Sequence, residues 1–220
     1  SFAPSSAQAA EFWGGVNAAG GFNVPIRSMQ ELKYLETVRQ RFDFSCGSAA
    51  VATLLSHHYQ RETREAEVFL SMWEEGDKVR IRKDGFSLLD MKGFLDDRGF
   101  NADGFRIEAD RIGEIGVAGI VLLEHLDQPH FVVVTGEVGG EILVNDPARG
   151  IWSMSVDELK DLWNGIFFVI RGKATLARSN FNDIDVWKHR RWSPVSSETL
   201  AQLTVPLGME LPEPSEFNAN

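Results

Sequence analysis

The first half of the chain carries apolar positions at the spacing that is typical of helices. Small and apolar side chains fill positions 47–59, which predicts a deeply packed helix. A second helix is predicted over positions 64–74, and Ser87 is a candidate N-cap for a third helix that ends near position 97. Between these two helices, the charged segment 76–85 is expected to be an exposed loop. The first half is therefore predicted to be mainly helical.

The second half changes to short β-favouring runs that are separated by glycine, aspartate, asparagine and proline. One helical pattern interrupts them at positions 156–163, with Ser155 as its cap. Helices followed by an antiparallel meander predict an α+β protein, with the helices packed on one side of the sheet. The predicted strands cover positions 119–123, 131–135, 142–144, 151–154 and 166–170.

Composition divides the chain into three segments. Positions 1–24 are rich in alanine, serine and glycine and are expected to form a flexible arm. Positions 25–172 hold the patterned runs and are expected to form one domain. Positions 173–220 form a C-terminal extension whose tryptophans and length predict packing on the domain or on a partner. The start of the arm, positions 2–10, resembles the end of a secretory signal with an A-x-A cleavage pattern, and a disordered alanine-rich leader is the alternative.

Charge and hydropathy narrow the classes of function. The net charge of −10 argues against nucleic-acid binding, which needs a basic protein face. No apolar run approaches the roughly 20 residues that a membrane-spanning helix needs. A hydrophobic content of 43% and a charged content of 25% are those of an ordinary soluble globular protein. The sequence therefore predicts a globular domain that binds no nucleic acid and does not span a membrane.

The chain contains a single cysteine, Cys46. One cysteine excludes an intrachain disulfide and a multi-cysteine zinc site, so Cys46 is either a small buried apolar residue or a reactive thiol. Its position favours the second reading, because it opens the predicted helix at 47–59 and the N-terminus of a helix lowers the pKa of a thiol. The N–H group of Cys46 is directed to where an oxyanion would form, and Gly47 would let a substrate carbonyl approach closely.

A reactive thiol needs a base, and His130 is the candidate among the five histidines. His57 and His58 lie about three turns further along the predicted helix, too far from Cys46 to reach it. His130 instead opens the valine-rich run at 131–134, which places it at the end of a buried strand. A half-buried histidine of this kind is more often structural than catalytic, so His130 needs a second observation.

That observation is the hairpin that follows His130. If positions 138–140 form a three-residue loop, Val132 faces Asp146, and His130 and Asp146 become diagonal neighbours on one face of the sheet. A two-residue loop would put the two side chains on opposite faces. Asp146 precedes Pro147 and is also a good turn residue, and the two roles are compatible.

Gln40 is the fourth candidate. It lies six residues before Cys46, in a segment with the composition of a loop. A primary amide at this place could donate its N–H groups to a developing oxyanion. A glutamine in a loop has no meaning by itself, so this role depends on the other three residues.

Three separated segments together resemble the C39 family of cysteine peptidases, the bacteriocin-processing double-glycine peptidases. They are positions 40–47 (QRFDFSCG), 129–134 (PHFVVV) and 145–147 (NDP), in the order and spacing of that family. The resemblance covers positions 25–172, essentially the whole core. It differs from the family at Ser45, where the family usually has an acidic residue, and this affects substrate preference more than chemistry.

The resemblance implies a papain-like α+β fold and a role for each candidate. Cys46 would be the nucleophile, His130 the general base and acid, Asp146 the residue that orients the histidine, and Gln40 the oxyanion donor. This chemistry needs no metal and no organic cofactor. The expected activity is hydrolysis of a peptide or protein substrate by a cysteine peptidase.

The arm and the long extension resemble the freestanding C39-type proteins of functional amyloid secretion systems. This resemblance implies a periplasmic location after removal of a signal peptide, and an amyloid subunit or secretion component as partner. The main alternative is a peptidase-like binding module that captures an unfolded secretion substrate without cleaving it. Another thiol acyl transfer, of the amidase or transglutaminase kind, would use the same residues.

Overall fold

The computed structural model describes residues 29–124 and 129–192. The predicted arm at 1–24 and the end of the extension at 193–220 lie outside these residues. The helices are α1 Met29–Lys33, α2 Cys46–Thr53, α3 Glu65–Glu75, α4 Lys78–Asp84, α5 Leu88–Asp96, α6 Ile112–Ile115, α7 Val156–Leu162, α8 Ala174–Ser179 and α9 Ile184–Lys188. A π-helical turn, Leu54–His58, continues α2, and a 3₁₀ turn, Ala109–Arg111, precedes α6.

The strands are β1 Ala102–Arg106, β2 Gly119–Leu123, β3 His130–Val138, β4 Glu141–Asp146, β5 Gly150–Ser155, β6 Ile166–Ile170 and β7 Arg191–Trp192. Within the described residues they form one sheet in the order β1-β6-β2-β3-β4-β5-β7. Strands β2 to β5 form the predicted meander, and β6 returns to lie between β1 and β2. The short β7 is the exception to antiparallel pairing, since it runs parallel to β5. The predicted α+β class is confirmed.

Helix α2 is the buried centre of the fold, as its run of small and apolar residues predicts. Every residue of α2 is buried, and the helix packs against α3 and β3. A Cβ atom on Gly47 would lie 2.6 Å from the Cε atom of Met91 and 3.1 Å from the Cβ atom of Phe86. Glycine therefore lets α2 approach α5 and its preceding loop closely. This packing role was not expected from the sequence, which suggested access for a substrate carbonyl.

The predicted helices α2, α3, α5 and α7 are present, but another helix lies where a loop was expected. The charged segment at 76–85, which was expected to be a loop, contains α4. The Asp77 side chain caps this helix by accepting hydrogen bonds from the N–H groups of Val79 and Arg80, and Ile81 anchors it in the core with no exposed surface. The expected caps of α5 and α7 are present, with Ser87 and Ser155 each in a capping box.

The loop of the hairpin between β3 and β4 is one residue shorter than predicted, and an extra residue in β3 makes up for the difference. Val138 pairs with Glu141, so the loop has two residues, Gly139 and Gly140, both with positive φ. A β-bulge lies between Val134 and Gly136, where Thr135 is the extra residue on β3. The expected three-residue loop is wrong, but the bulge shifts the strand by one residue and restores the expected register.

The first part of the C-terminal extension packs on the domain. Helices α8 and α9 and strand β7 follow β6 directly, and β7 joins the edge of the sheet beside β5. The Asn180 side chain donates a hydrogen bond to the His57 carbonyl at 2.9 Å, which ties the extension to the π-helical turn. Among the described helices, none is both long and apolar enough to cross a membrane.

Candidate active site

Cys46 is the first residue of α2, and 7% of its surface is exposed. The preceding Ser45 has a non-helical backbone, and its side chain makes no cap to α2. The Ser45 hydroxyl turns back instead, accepting from the Phe42 N–H group at 3.1 Å and donating to the Phe42 carbonyl at 3.0 Å. The Ser45 side chain therefore leaves the first N–H groups of α2 uncapped, and the positive end of the helix lies at the thiol.

His130 and Asp146 are in direct contact on neighbouring strands. The Nε2 atom of His130 lies 2.8 Å from the Oδ1 atom of Asp146. Asp146 is buried, with 1% of its side chain exposed, whereas 15% of the His130 side chain is exposed. The ladder between β3 and β4 ends with Val133 opposite Asn145, so the next pair in register is Val132 with Asp146. His130 is the diagonal neighbour that the sequence predicted.

His130 also interacts with Cys46. Burial alone would lower the pKa of His130, but hydrogen bonds with Asp146 and with Cys46, together with the charges of both groups, raise the pKa to about 9. Because Nε2 is held by Asp146, the other ring nitrogen, Nδ1, is the one that remains for the cysteine. Cys46 therefore lies close enough to His130 to affect its pKa, and His130 is in direct contact with Asp146.

Asp146 is held in one orientation by several donors. Its Oδ1 atom accepts hydrogen bonds from the N–H groups of Ala148 at 2.7 Å and Arg149 at 3.0 Å. The Nε1 atom of Trp152 donates to Oδ2 at 3.3 Å. Burial acts to raise the pKa of Asp146, but its contact with His130 and the two backbone donors lower it overall. Asp146 is therefore a charged carboxylate at neutral pH, aimed at the histidine.

Gln40 lies beside the turn that follows Asp146. Its backbone N–H group donates to the Pro147 carbonyl at 3.0 Å, which ties the loop before Cys46 to the end of β4. One N–H group of its side chain donates to the Phe42 carbonyl at 3.0 Å. Its Oε1 atom is buried and has no hydrogen-bond partner among the described residues. Because a primary amide has two N–H groups, one donor remains for an oxyanion.

Two residues of the site were missed by the sequence analysis. Trp152 lies on β5, and Asn145, which is fully buried, accepts a hydrogen bond from the Thr135 hydroxyl at 2.9 Å and donates to the Glu36 carbonyl at 2.8 Å. Trp152 could have been found from strand register, because it pairs with Val144, two residues before Asp146.

In the part of the chain that the structure describes, no group of three or more His, Cys, Asp or Glu side chains could hold a metal ion.

Comparison with known proteins decides the family. The sequence profile of the peptidase C39 family matches residues 34–175. This chain belongs to the peptidase C39 family. The match includes all four candidate residues and confirms the resemblance found in the three sequence segments.

Two curated relatives of this C39 chain are named "Probable functional amyloid protease FapD". The protein from Pseudomonas aeruginosa is 37% identical over 148 residues, and the protein from Pseudomonas fluorescens is 34% identical over 148 residues. Each match covers 67% of this chain and 66% of the relative. The matched segment thus spans about two thirds of the length of each relative.

Solved structures show the same fold. The peptidase domain of Streptococcus ComA, an ABC transporter of a quorum-sensing pathway, matches with a TM-score of 0.53 and 18% identity, over 61% of this chain and 96% of that domain. A double-glycine-motif protease from an AMS/PCAT transporter, solved with its leader peptide, matches with a TM-score of 0.51 and 24% identity, over 61% of this chain and 89% of the protease. These likenesses confirm the predicted papain-like α+β fold.

Proposed function

We propose that this chain is a cysteine peptidase that cleaves a peptide or protein substrate with a triad of Cys46, His130 and Asp146. The observation that carries the proposal is the pairing of His130 with the buried Asp146, with Cys46 close enough to raise the pKa of His130. Its centre is the 2.8 Å hydrogen bond between the His130 Nε2 and Asp146 Oδ1 atoms. Membership of the C39 family supports the same activity.

Each residue has a step in the proposed reaction. The Cys46 sulfur, after giving its proton to His130, attacks the carbonyl carbon of the scissile peptide bond. The N–H group of Cys46 and the free side-chain N–H of Gln40 hold the resulting oxyanion. His130 then donates the proton to the leaving amine, and the peptide C–N bond breaks to leave a thioester on Cys46. Water, deprotonated by His130, hydrolyses the thioester and restores the thiol.

The charges of the site suit these steps. Asp146 favours the charged form of His130, and the raised pKa of about 9 keeps the imidazole protonated at neutral pH. A protonated His130 beside the sulfur stabilises a thiolate, and it is the form that protonates the leaving amine. The rate is therefore expected to fall as the pH rises through about 9.

We further propose that the substrate belongs to a bacterial functional amyloid export system and that the enzyme acts in the periplasm. The names of the two Pseudomonas relatives support the first part. The pattern at positions 2–10, which resembles the end of a secretory signal, supports the second. An amyloid subunit or a secretion component is the expected substrate.

The test is the pH dependence of Cys46 alkylation by iodoacetamide, followed by a cleavage assay. Rapid labelling at about pH 6, well below the pH of about 8.5 at which an ordinary thiol ionises, is expected for the wild type. Labelling should become slow in His130→Ala and stay rapid in the control His189→Ala, which removes a histidine of the extension. Cleavage of a candidate amyloid subunit, read by mass spectrometry, should be abolished in Cys46→Ala.

Two outcomes would redirect the proposal. Slow labelling with an ordinary pH profile in both the wild type and His130→Ala would show that the triad is not assembled, and would favour a binding module that captures its substrate uncut. Rapid labelling with release of ammonia or acyl exchange, but no new peptide ends, would favour an amidase or transglutaminase.

A further inference from the structure

The β-bulge in β3 leaves backbone groups that the sheet does not satisfy. Strand β2 pairs with β3 only as far as Gly119 opposite Val134. Beyond that pair, on the side of β3 away from β4, the Thr135 carbonyl and both backbone polar groups of Glu137 have no neighbouring strand. Buried or half-buried backbone groups need partners, so another part of the chain has to supply them.

Asn182, in the C-terminal extension, supplies all of them. Its backbone N–H group donates to the Thr135 carbonyl at 2.9 Å. Its side-chain Oδ1 accepts from the Glu137 N–H group at 2.7 Å, and its Nδ2 donates to the Glu137 carbonyl at 2.9 Å. The asparagine amide thus takes the place of a peptide group of β2.

The residue type and its conformation suit this task. Asn182 has a φ of 64°, in the left-handed region that asparagine tolerates better than most residues. The Trp187 Nε1 atom also donates to Asn182 Oδ1, at 3.3 Å, which fixes the orientation of the amide. On the inner side of the bulge, the Thr135 hydroxyl is held by Asn145. Hydrogen bonds therefore hold the bulge on both of its sides.

The bulge decides whether His130 and Asp146 can meet. With the two-residue loop at Gly139 and Gly140 and no bulge, Val133 would lie opposite Asp146. His130 would then point to the other face of the sheet, because side chains alternate along a strand. The extra residue at Thr135 moves Val132 into register with Asp146 and brings His130 to the same face.

We propose that Asn182 is a positioning residue that sets the register of His130 and Asp146 by holding the bulge at Thr135. It lies beyond residues 34–175, the segment that matches the family profile. The C-terminal extension thereby contributes to the catalytic geometry of the domain without touching the reacting atoms. The consequence for catalysis rests on the function proposed above.

The test compares two asparagines of the same turn in the full-length protein. Asn182→Gly removes the amide without backbone strain, because glycine adopts a positive φ freely. The matched control is Asn180→Ala, which removes the hydrogen bond to the His57 carbonyl and leaves the hydrogen bonds of Asn182 to β3 in place. For each variant, an NMR titration of the His130 ring, assigned with His130→Ala, is measured together with the melting temperature, kcat and KM.

In the wild type, His130 is expected to titrate near pH 9. Asn182→Gly should lower this midpoint by about one unit or more, because the contact with Asp146 that raises the pKa is weakened. It should also lower kcat about tenfold, with little change in KM, because His130 is then misplaced relative to Cys46. Asn180→Ala should leave the midpoint and kcat unchanged, even where both variants melt at a lower temperature. If Asn182→Gly does not fold, Asn182→Asp serves, because it keeps the acceptor for the Glu137 N–H group and replaces the donor to the Glu137 carbonyl with an oxygen that repels it. A shift of the same sign is expected.

The outcomes separate this inference from the proposed function. An ordinary midpoint near 6.5 in the wild type, with an unreactive Cys46, would overturn the proposed function. A raised midpoint that stays unchanged in Asn182→Gly, or in Asn182→Asp where the first variant is unfolded, would overturn the role of Asn182 alone. The same shift in Asn180→Ala would overturn it too, because the effect would then come from general loosening of the extension.

Discussion

At the scale of single residues, the site depends on how completely Asp146 is held. Its two oxygens receive hydrogen bonds from one histidine, two backbone N–H groups and one indole. The backbone donors come from the turn that Asp146 itself starts, so they are local. The indole of Trp152 is different, because it comes from the next strand and contacts the oxygen that His130 does not use.

Trp152→Phe therefore tests how far the indole N–H positions the carboxylate. The change keeps an aromatic ring in the core and removes one donor from Oδ2 of Asp146. We expect kcat to fall about tenfold with KM nearly unchanged, since a hydrogen bond to a charged group contributes about 1.5–3 kcal/mol and this one, at 3.3 Å, belongs at the low end. Steady-state kinetics on the proposed substrate would measure this.

The matched control is Trp163→Phe. Trp163 is equally buried, and its Nε1 atom donates to the Ile166 carbonyl at 2.9 Å, away from Asp146. Trp163→Phe should lower the free energy of unfolding about as much as Trp152→Phe does and leave kcat unchanged. An equal fall of kcat in both variants would mean that Trp152 acts only through general stability.

Sequence reasoning predicted that His130 and Asp146 are neighbours, but it did not predict how the two strands bring them together. Local patterns were enough to place Cys46 at the start of a helix, His130 at the start of a strand and Asp146 at the end of the next strand. The loop length was wrong, and the register was still right, because the bulge compensates for it. The bulge could not be inferred, since its partner Asn182 lies 45 residues beyond Glu137 in the chain.

At the scale of elements, helices whose N-caps form a recognisable sequence motif could be predicted from the sequence. The capping boxes at Ser87 and Ser155 mark α5 and α7 because both partners lie within three residues. Helix α4 was missed because its surface is charged and a single buried side chain, Ile81, anchors it. A seven-residue helix with one apolar anchor has too little amphipathic pattern to be recognised from the sequence.

The close approach of α2 and α5 gives a prediction at this scale. Gly47→Ala should lower the free energy of unfolding by about 1–3 kcal/mol, because the new Cβ would press on Met91 and Phe86 in a packed core. Met91 can move the end of its flexible side chain, but the Cβ atom of Phe86 is close to the backbone and yields less. Denaturant unfolding of the full chain would measure the change.

Gly93, in α5, is the control for this substitution. A Cβ atom added there meets no other atom within 4 Å. Gly93→Ala should therefore stabilise the protein by about 0.5–1 kcal/mol, because alanine loses less conformational entropy than glycine inside a helix. A stabilising effect of both substitutions would show that α2 and α5 can separate at low cost.

At the scale of the whole molecule, the buried His58 and the partly buried His130 make the stability of the fold depend on pH in opposite directions. His130 has its pKa raised to about 9, so its contribution is present in full below about pH 6.5 and is lost as the pH rises through about 9. His58 has its pKa lowered to about 4 by burial and by the neighbouring His57, with Asp183 opposing the shift. The folded protein therefore disfavours the protonated form of His58 and favours the protonated form of His130.

The acid side of this balance can be tested with His58. Both of its ring nitrogens are buried, with no hydrogen-bond partner among the described residues. Between about pH 6.5 and 4 the unfolded chain binds a proton at this residue and the folded protein does not, so stability falls as the pH falls. Over that range the loss due to His58 should reach about 3 kcal/mol, at 1.36 kcal/mol for each unit of pKa difference.

His58→Leu, which keeps the site apolar and removes the titrating group, should lose distinctly less stability over the same range. The measurement is the free energy of unfolding of both proteins by urea at several pH values between 4 and 7. Parallel curves for the two proteins would contradict the prediction. They would mean that another group dominates the acid response between pH 4 and 7, and His57, whose pKa is also lowered by burial, is then the candidate.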